Sequence, residues 1–277
     1  MKKTKVFNRN QLEEIIKKLG EYPLTKSGHG FREGIRESIF ESATKSIKNY
    51  TDLSKKKPAL GLISVVLAAN RNYNRVVEPN LINIERDCPK LSFFSELKEM
   101  INKIGDEKFY ELWGHKDKKK LDTLKEILDI IFKLKEKDTN LSDFEVMNKW
   151  ANKANFEEDP ISKIKNVGLA TFQHLRMVFG ANTIKPDLRV KQVLEFEFGI
   201  NGLNDFDVIK KVEEFSRILN LEVLFLDQIF VKYGSSYFIG KEMNSIFKIA
   251  KVLKLRNVEF EIISEATGLN QYQIEKL

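Results

Sequence analysis

An aspartate stands directly before a predicted helix in the segment Lys185-Pro186-Asp187-Leu188. A carboxylate there can accept hydrogen bonds from the first free N–H groups of the helix. In a cleft, the same carboxylate could stabilise positive charge that develops on a sugar during cleavage of a glycosidic bond, and could orient a water molecule. Capping alone accounts for most aspartates in this setting, so both roles stay open for Asp187.

A tight turn is predicted shortly before this aspartate, in the segment 164–168 (Ile-Lys-Asn-Val-Gly). A short helix is expected to end near Lys163, and a second helix to open at about Leu169. We expect Gly168 to supply the permissive backbone of the hairpin. The free N–H groups at the start of the second helix are suited to hold a phosphate oxygen, although such turns also join helices without binding anything.

The remaining chemistry-bearing residues form no metal-binding pattern. His115 and His174 lack partners at metal-ligand spacing, and we expect both at the surface or in ordinary hydrogen bonds. Cys88 is the single cysteine, which excludes an internal disulfide, a four-cysteine zinc site and an iron–sulfur cluster held by this chain alone. Tyr73 and Trp150 are the aromatic residues that we select as candidates to stack on a base.

The elements that carry these residues are predicted to be helices throughout, because apolar residues recur at helical spacing and sustained alternation is missing. The fold class is therefore all-α. The predicted helices are Gln11–Leu19, Arg32–Tyr50, Leu60–Asn70, Leu91–Ile104, Asp106–Trp113, Lys118–Glu136, Phe144–Lys153, Leu188–Phe198 and Asn244–Leu253, with a short helix from Asp159.

Composition fits a polyanionic partner without requiring one. The 277-residue chain has 47 lysines and arginines against 40 acidic residues, a net charge of +7, and 31% charged residues, most of which would form solvated helix surface. The apolar run Ala59–Ala69 is far shorter than the roughly 20 residues needed to span a bilayer. We expect a cytoplasmic, nucleoid-associated monomer with no membrane partner.

The order of hairpin, helix, Gly180, short loop and Lys-Pro-Asp-Leu-Arg-Val resembles the helix-hairpin-helix (HhH-GPD) superfamily of DNA glycosylases. That superfamily pairs a Leu-x-Gly-Val-Gly type of hairpin with a downstream catalytic aspartate, here Asp187. Segment 62–70 looks like the early helix of the family, and segment 226–234 looks like its late helix. The resemblance thus covers roughly residues 58–234, and the combination is more specific than either motif alone.

The resemblance implies that the protein binds double-stranded DNA containing a damaged base. Asp187 would be the catalytic carboxylate beside a nucleotide flipped out of the duplex. Asn70, or its neighbour Arg71, would fill the gap left by that nucleotide, and Tyr73 and Trp150 would belong to the base pocket. The other expected DNA-binding residues are Lys165, Asn166, Val167, Gly168, Leu169, Ala170 and Arg189.

Departures from the family narrow the expected chemistry. Family members that cleave the strand place a lysine two residues after the last hairpin glycine, and here that position is Ala170. We therefore expect base removal by water without lyase activity, with Lys163, Lys165 and Lys185 as the nearby amines that would have to substitute. No cofactor is expected apart from a monovalent cation at the hairpin carbonyls, which the resemblance suggests.

The resemblance also implies a two-lobed organisation. Residues 58–181 would form a helical bundle with the hairpin, while residues 1–57 would complete a second lobe made by residues 182–240 and carrying Asp187. Residues 241–277 would add a helical extension that resembles a helix-turn-helix, with 271–277 as the reading element. Two functions follow from the sequence: a monofunctional DNA N-glycosylase of base-excision repair, or a non-catalytic, regulatory DNA-binding protein that has kept the hairpin.

Overall fold

A computed structural model describes residues 6–71, 73–238, 242–275 and 277, and within these residues the chain is helical without a strand. The all-α prediction is confirmed. A π-helix spans Tyr73–Val77 and a 3-10 helix spans Pro160–Lys163. The α-helices are α1 (Arg9–Glu21), α2 (Ile39–Asn49), α3 (Asp52–Lys56), α4 (Pro58–Ala68), α5 (Glu78–Asp87), α6 (Phe94–Leu112), α7 (Lys118–Lys137), α8 (Asp143–Lys153), α9 (Leu169–Val178), α10 (Leu188–Phe196), α11 (Asp205–Leu219), α12 (Val223–Tyr237), α13 (Glu242–Leu255), α14 (Phe260–Thr267) and α15 (Gln271–Glu275).

Local side-chain hydrogen bonds fix where several helices begin. The Ser38 hydroxyl accepts the N–H of Glu41, while the Glu41 carboxylate accepts the N–H of Ser38, which satisfies two otherwise free donors at the start of α2. Ser142 and Glu145 form the same reciprocal pair at α8. These starts follow from sequence spacing alone, since a Ser-x-x-Glu pattern precedes an apolar face in both cases.

Buried apolar residues form two clusters. The first core lies within residues 59–181 and is built on α4, whose eleven residues are all buried, with α6, α7, α8 and α9 around it. The second core combines α1 and α2 with the helices from α10 onwards. Leu169, the first residue of α9, is counted in the second core although the rest of its helix packs in the first. The hairpin that precedes α9 therefore lies at the seam between the two cores.

The C-terminal helices pack on the second core. The ring of Phe247 on α13 stacks on Phe196 of α10 at 4.7 Å between centroids, and Ile263 and Ile274 are buried in the same core. The expected reading element is short, since α15 ends at Glu275, and Lys276 lies outside the described residues. The predicted domain boundaries after residues 57, 181 and 240 stay predictions, and residues 239–241 are also outside the described part.

Several predicted helix boundaries are wrong. The helix expected from Arg32 begins only at Ile39, because residues 22–38 form an irregular segment joined by a single bridge between Pro23 and Ser38. The helices expected on either side of Gly105 form one element with a kink, where Gly105 has a φ of 75°. Helices α3, α5 and α11 and the π-helix were not predicted. In the described residues, no helix is both long and apolar enough to cross a membrane.

Candidate functional site

Asp187 caps α10 with one carboxylate oxygen. Its Oδ1 accepts the N–H groups of Arg189 at 2.9 Å and Val190 at 3.2 Å. The other oxygen, Oδ2, lies 3.9 Å from the Nζ of Lys185, and the side chain keeps 26% of its exposure. The capping considered for Asp187 is thus present. These capping hydrogen bonds use only Oδ1, and Oδ2 faces Lys185.

A second carboxyl, Asp227 on α12, lies beneath the loop that carries Asp187. Its Oδ1 accepts the main-chain N–H of Lys185 at 3.1 Å, and its Oδ2 accepts a hydrogen bond from the amide of Gln228 at 3.0 Å. Asp227 is only 1% exposed. Burial, and then the charge of Asp187, raises the pKa of Asp227 to about 7. Sequence reasoning missed this residue, whose signal is an aspartate within an apolar helix.

Residues 25–30 form a loop that is bound to the C-terminal half of α12. The N–H of Thr25 donates to the Ser236 hydroxyl at 3.3 Å, and the N–H of His29 donates to the Ser235 hydroxyl at 2.7 Å. The buried ammonium of Lys232 donates to the carbonyl of His29 at 3.1 Å. These contacts explain why a segment without regular structure holds His29 in one place.

The same loop meets the first core through the π-helix. The amide of Asn74 donates to the carbonyl of Gly28 at 3.0 Å, and the His29 ring packs edge-to-face on Tyr73 at 5.1 Å between centroids. Burial, followed by the charges of Lys232 and Lys185, lowers the pKa of His29 to about 3, so its ring is neutral at pH 7. The structure thus brings Tyr73, a predicted pocket residue, to His29, which was not predicted.

Two more titratable side chains belong to this group. Burial raises the pKa of Tyr50 well above its ordinary value, with smaller contributions from Asp227, Tyr73 and Asp187. Burial, and then Lys185 and His29, lowers the pKa of His174 far below its ordinary value. His174 was expected at the surface or in an ordinary hydrogen bond, and it is partly buried on α9.

We define the seam cluster as His29, Tyr50, Tyr73, His174, Lys185, Asp187 and Asp227. Its members come from segments that are far apart in sequence. Each member influences the ionisation of another member, has its own ionisation influenced by one, or contacts one directly. The cluster combines aromatic rings, neutral imidazoles, one cation and two carboxyls. Such a set can stack on a ring, offer hydrogen bonds and stabilise charge.

The hairpin before α9 has the expected tight turn, but a different residue makes it. Asn166 takes the left-handed conformation with φ of 73°, and the N–H of Val167 donates to the carbonyl of Ile164 at 3.1 Å. Gly168 has φ of −82° and ψ of 171°, which any residue adopts. The expectation that Gly168 supplies conformational freedom is therefore wrong. A Cβ at Gly168 would meet nothing within 4 Å.

The main-chain N–H groups in the first turn of α9 face outwards. No side chain caps the helix, and Lys165, Asn166 and Gly168 are exposed, while the side chains of Val167 and Leu169 are buried. Ala170 is partly buried. This end of the helix therefore presents main-chain N–H groups, an exposed lysine and open space at the glycine, which together suit an anion.

The hairpin carbonyls are partly engaged. Ile164 O accepts the N–H of Val167, and Lys165 O accepts the hydroxyl of Thr123 at 3.3 Å. A carbonyl oxygen has two lone pairs, so these contacts leave room for the predicted monovalent cation without requiring it. In the described part of the chain, no group of three histidine, cysteine or acidic side chains is placed to hold a metal ion.

The tip after α4 is held by a lysine. The Nζ of Lys120 donates to the carbonyls of Val66, Leu67 and Ala69 at 3.0, 3.0 and 2.6 Å, and burial lowers its pKa to about 8. Asn70 follows with φ of 56° and is exposed, as is Arg71. The two residues expected to fill the gap in a duplex thus protrude from a firmly anchored helix end.

Trp150 and Arg189 are engaged in packing. The indole of Trp150 donates to Asp159 at 2.8 Å and its ring packs edge-to-face on Phe172, both within the first core. Its hydrogen bond and ring contact therefore account for Trp150 as a core residue.

Arg189 donates to Gln192 at 3.0 Å, and its backbone lies against Gly234, where an added Cβ would come within 3.0 Å of Arg189 O. Gly234 is thus needed for the close approach of α10 and α12.

Comparisons of the chain with protein-family models, with curated proteins and with solved structures found no match. The functional assignment therefore depends on the hairpin, the seam cluster and the sequence motifs that carry the resemblance.

Proposed function

We propose that this protein binds duplex DNA through the backbone of its hairpin and removes a flipped base by hydrolysis, with Asp187 as the catalytic carboxylate. One observation carries the proposal above all others. Asp187 belongs to the seam cluster of aromatic, neutral imidazole and charged groups, its Oδ2 faces Lys185, and the uncapped end of α9 begins at the seam between the two cores.

The hairpin would grip the DNA backbone. The N–H groups of Leu169 and Ala170 point out of an uncapped helix end, and Lys165 adds a positive charge that can follow a phosphate. Asn70 and Arg71, fixed by the contacts of Lys120 to the end of α4, would occupy the space that the extruded nucleotide leaves. The base would then meet Tyr73 and the imidazoles of the seam cluster.

Asp187 would act on the sugar. An ionised carboxylate near C1′ favours the oxocarbenium-like transition state and can orient the attacking water. The oxygen that caps α10 holds the group in place, and the other oxygen carries the charge towards the substrate. Because Ala170 has no amine, the product would be an intact strand with an abasic site. Borohydride trapping should then give no covalent adduct, whereas an adduct lost in Lys185→Met would show that Lys185 forms a Schiff base.

A lesion panel tests the proposal. The protein is incubated with duplexes that carry uracil, oxidised bases or alkylated bases, and alkali then reveals abasic sites. Asp187→Asn keeps an oxygen that can cap α10, so we expect base release to fall by about 100-fold or more while DNA affinity is kept. Asp207→Asn, at an exposed aspartate in the first turn of α11, is the control and should stay active. Release that persists undiminished in Asp187→Asn contradicts the proposal.

A second candidate function is DNA binding without catalysis. The observation in its favour is that capping of α10 by Oδ1 already accounts for an aspartate at position 187. This function predicts that no base is released from any duplex and that binding still depends on the hairpin. The lesion panel therefore separates the two candidates.

A further inference from the structure

The charge around Asp187 is dominated by Lys185. Its Nζ lies 3.9 Å from Asp187 Oδ2, and its side chain is 22% exposed. The ammonium contributes to the lowered pKa values of His29, His174 and Lys120. These three residues lie on different elements, namely the loop 25–30, α9 and α7, so the charge of Lys185 acts on three separate parts of the fold.

A buried lysine, Lys232, and a partly buried one, Lys120, add to this positive charge. Lys232 is 1% exposed, and burial lowers its pKa to about 8, with Glu37 and Asp227 as its acidic neighbours. Glu37 is also paired with Lys45 at 2.9 Å. Lys120 has Asp117 as its acidic neighbour, and its pKa is about 8 as well. Both lysines are therefore still mainly protonated at pH 7.

The carboxyls of the seam cluster balance this charge only in part. Asp187 faces Lys185, while Asp227 is only partly ionised near neutral pH because burial raises its pKa to about 7. His29 and His174 are neutral and can donate or accept hydrogen bonds without a charge. A ring placed against Tyr73 and the two imidazoles would therefore meet Lys185 as the cation of the seam cluster, and this ammonium is partly open to solvent.

On the basis of the function proposed above, we infer that the substrate is a neutral damaged base that leaves as an anion, such as uracil or an oxidised base, and that Lys185 stabilises this leaving group. In the reaction, the C1′–N bond breaks and both electrons stay on the base nitrogen. Water oxygen bonds to C1′, and one water proton passes by way of Asp187 to the base nitrogen. The products are the neutral free base and an abasic deoxyribose.

A base that is already cationic would be handled poorly by the same site. N7-methylguanine carries a positive charge in the duplex and becomes neutral when it leaves, so the ammonium of Lys185 repels the bound substrate and gains nothing at the transition state. The charge of the base therefore separates neutral lesions from cationic lesions, although aromatic side chains could stack on both classes.

The test compares uracil, 8-oxoguanine and N7-methylguanine duplexes in the wild type, in Lys185→Met and in the control Lys191→Met. Methionine keeps the main-chain N–H that Asp227 accepts, and Lys191 is paired with Asp205 on the outer side of α10. We expect the wild type to prefer the best neutral lesion over N7-methylguanine by about tenfold or more in kcat/KM. Lys185→Met should reduce this ratio by about tenfold, and Lys191→Met should leave it unchanged.

Two outcomes overturn the inference. One is release of N7-methylguanine by the wild type at a rate equal to that of the neutral lesions. The other is an equal loss on all substrates in Lys185→Met, which would mark a structural role for the residue.

A binding measurement keeps this inference distinguishable from the proposed function. Duplexes with 2′-fluoro nucleotides resist hydrolysis, so affinity for a neutral and for a cationic base can be compared without cleavage. A preference for the neutral base that is lost in Lys185→Met supports the charge selection even if no base is released. Equal affinities, together with normal release of bases, would reject the charge selection and keep the glycosylase.

Discussion

The starts of α9 and α10 have the same backbone geometry but opposite chemistry. Gly168 before α9 has φ of −82° and ψ of 171°, and Asp187 before α10 has φ of −90° and ψ of 178°. Asp187 satisfies two N–H groups of its helix with its own carboxylate, whereas Gly168 has no side chain to do so. One helix end thus offers donors to an external anion, and the other offers an anion itself. A phosphate and a developing cation on one nucleotide need these two partners.

The two ends also differ in how they are held. The loop before α10 is tied to a buried carboxyl, since Asp227 accepts the N–H of Lys185. The hairpin before α9 is held by its own turn and by the hydroxyl of Thr123 on Lys165 O, and its polar residues are exposed. The position of the carboxylate is therefore set by the interior of the second core, and that of the free N–H groups of α9 is set mainly by the local turn.

The largest expected effect comes from Asp227→Asn. A carboxyl with a raised pKa in the folded state keeps its proton there, while the unfolded chain loses it above about pH 4. The wild type should therefore lose stability as the pH rises from about 4 to about 7. Asparagine does not titrate, and its amide oxygen can still accept the N–H of Lys185. At pH 8 the variant should be more stable by up to about 4 kcal/mol.

Urea unfolding at pH 4, 6 and 8 measures this difference. The gain should be small at pH 4 and should grow with pH, whereas the exposed control Asp207→Asn should show no such trend. Parallel stability curves for the wild type and Asp227→Asn would mean that Asp227 is ionised in the folded state throughout, and that the loop before α10 is held by a charge.

The contrast between the two helix ends explains what the sequence could predict. The start of α9 at Leu169 and the cap at Asp187 follow from local rules of turns and caps, so both were predicted correctly. Asp227, His29 and Lys120 act through partners that are distant in the chain. An acidic residue within an apolar helix hints at Asp227, but no local pattern identifies the partner of any of the three. Lys120 lies in the basic run Lys116-Asp-Lys-Lys-Lys120, yet its ammonium donates to the end of α4. Only tertiary packing decides such roles.

Gly168→Asp would turn the start of α9 into a copy of the start of α10. The backbone already has the geometry of an N-cap, and a Cβ would meet nothing within 4 Å, so the fold should be kept or slightly stabilised. The new carboxylate would take the free N–H groups and repel phosphate. We expect DNA affinity to fall by about tenfold or more, which fluorescence anisotropy with a labelled duplex measures.

Gly168→Asn is the matched control for this change, because it caps the helix without adding a charge. It should reduce affinity less than Gly168→Asp, and Gly168→Ala should be close to the wild type. If Gly168→Asp binds DNA as well as the wild type does, the end of α9 does not contact phosphate, and the asymmetry between the two helix ends has no role in binding.

The smallest expected effect separates the cap of Asp187 from its chemistry. Asp187→Ala loses the hydrogen bonds to Arg189 and Val190, which should cost about 1 kcal/mol of unfolding free energy, whereas Asp187→Asn keeps an acceptor and should stay close to the wild type. Base release should fall to a similar extent in both variants, because both lack the charge. If release instead follows stability, with Asp187→Asn active and Asp187→Ala impaired, the carboxylate only shapes the loop, and the two helix ends differ in structure rather than in catalytic role.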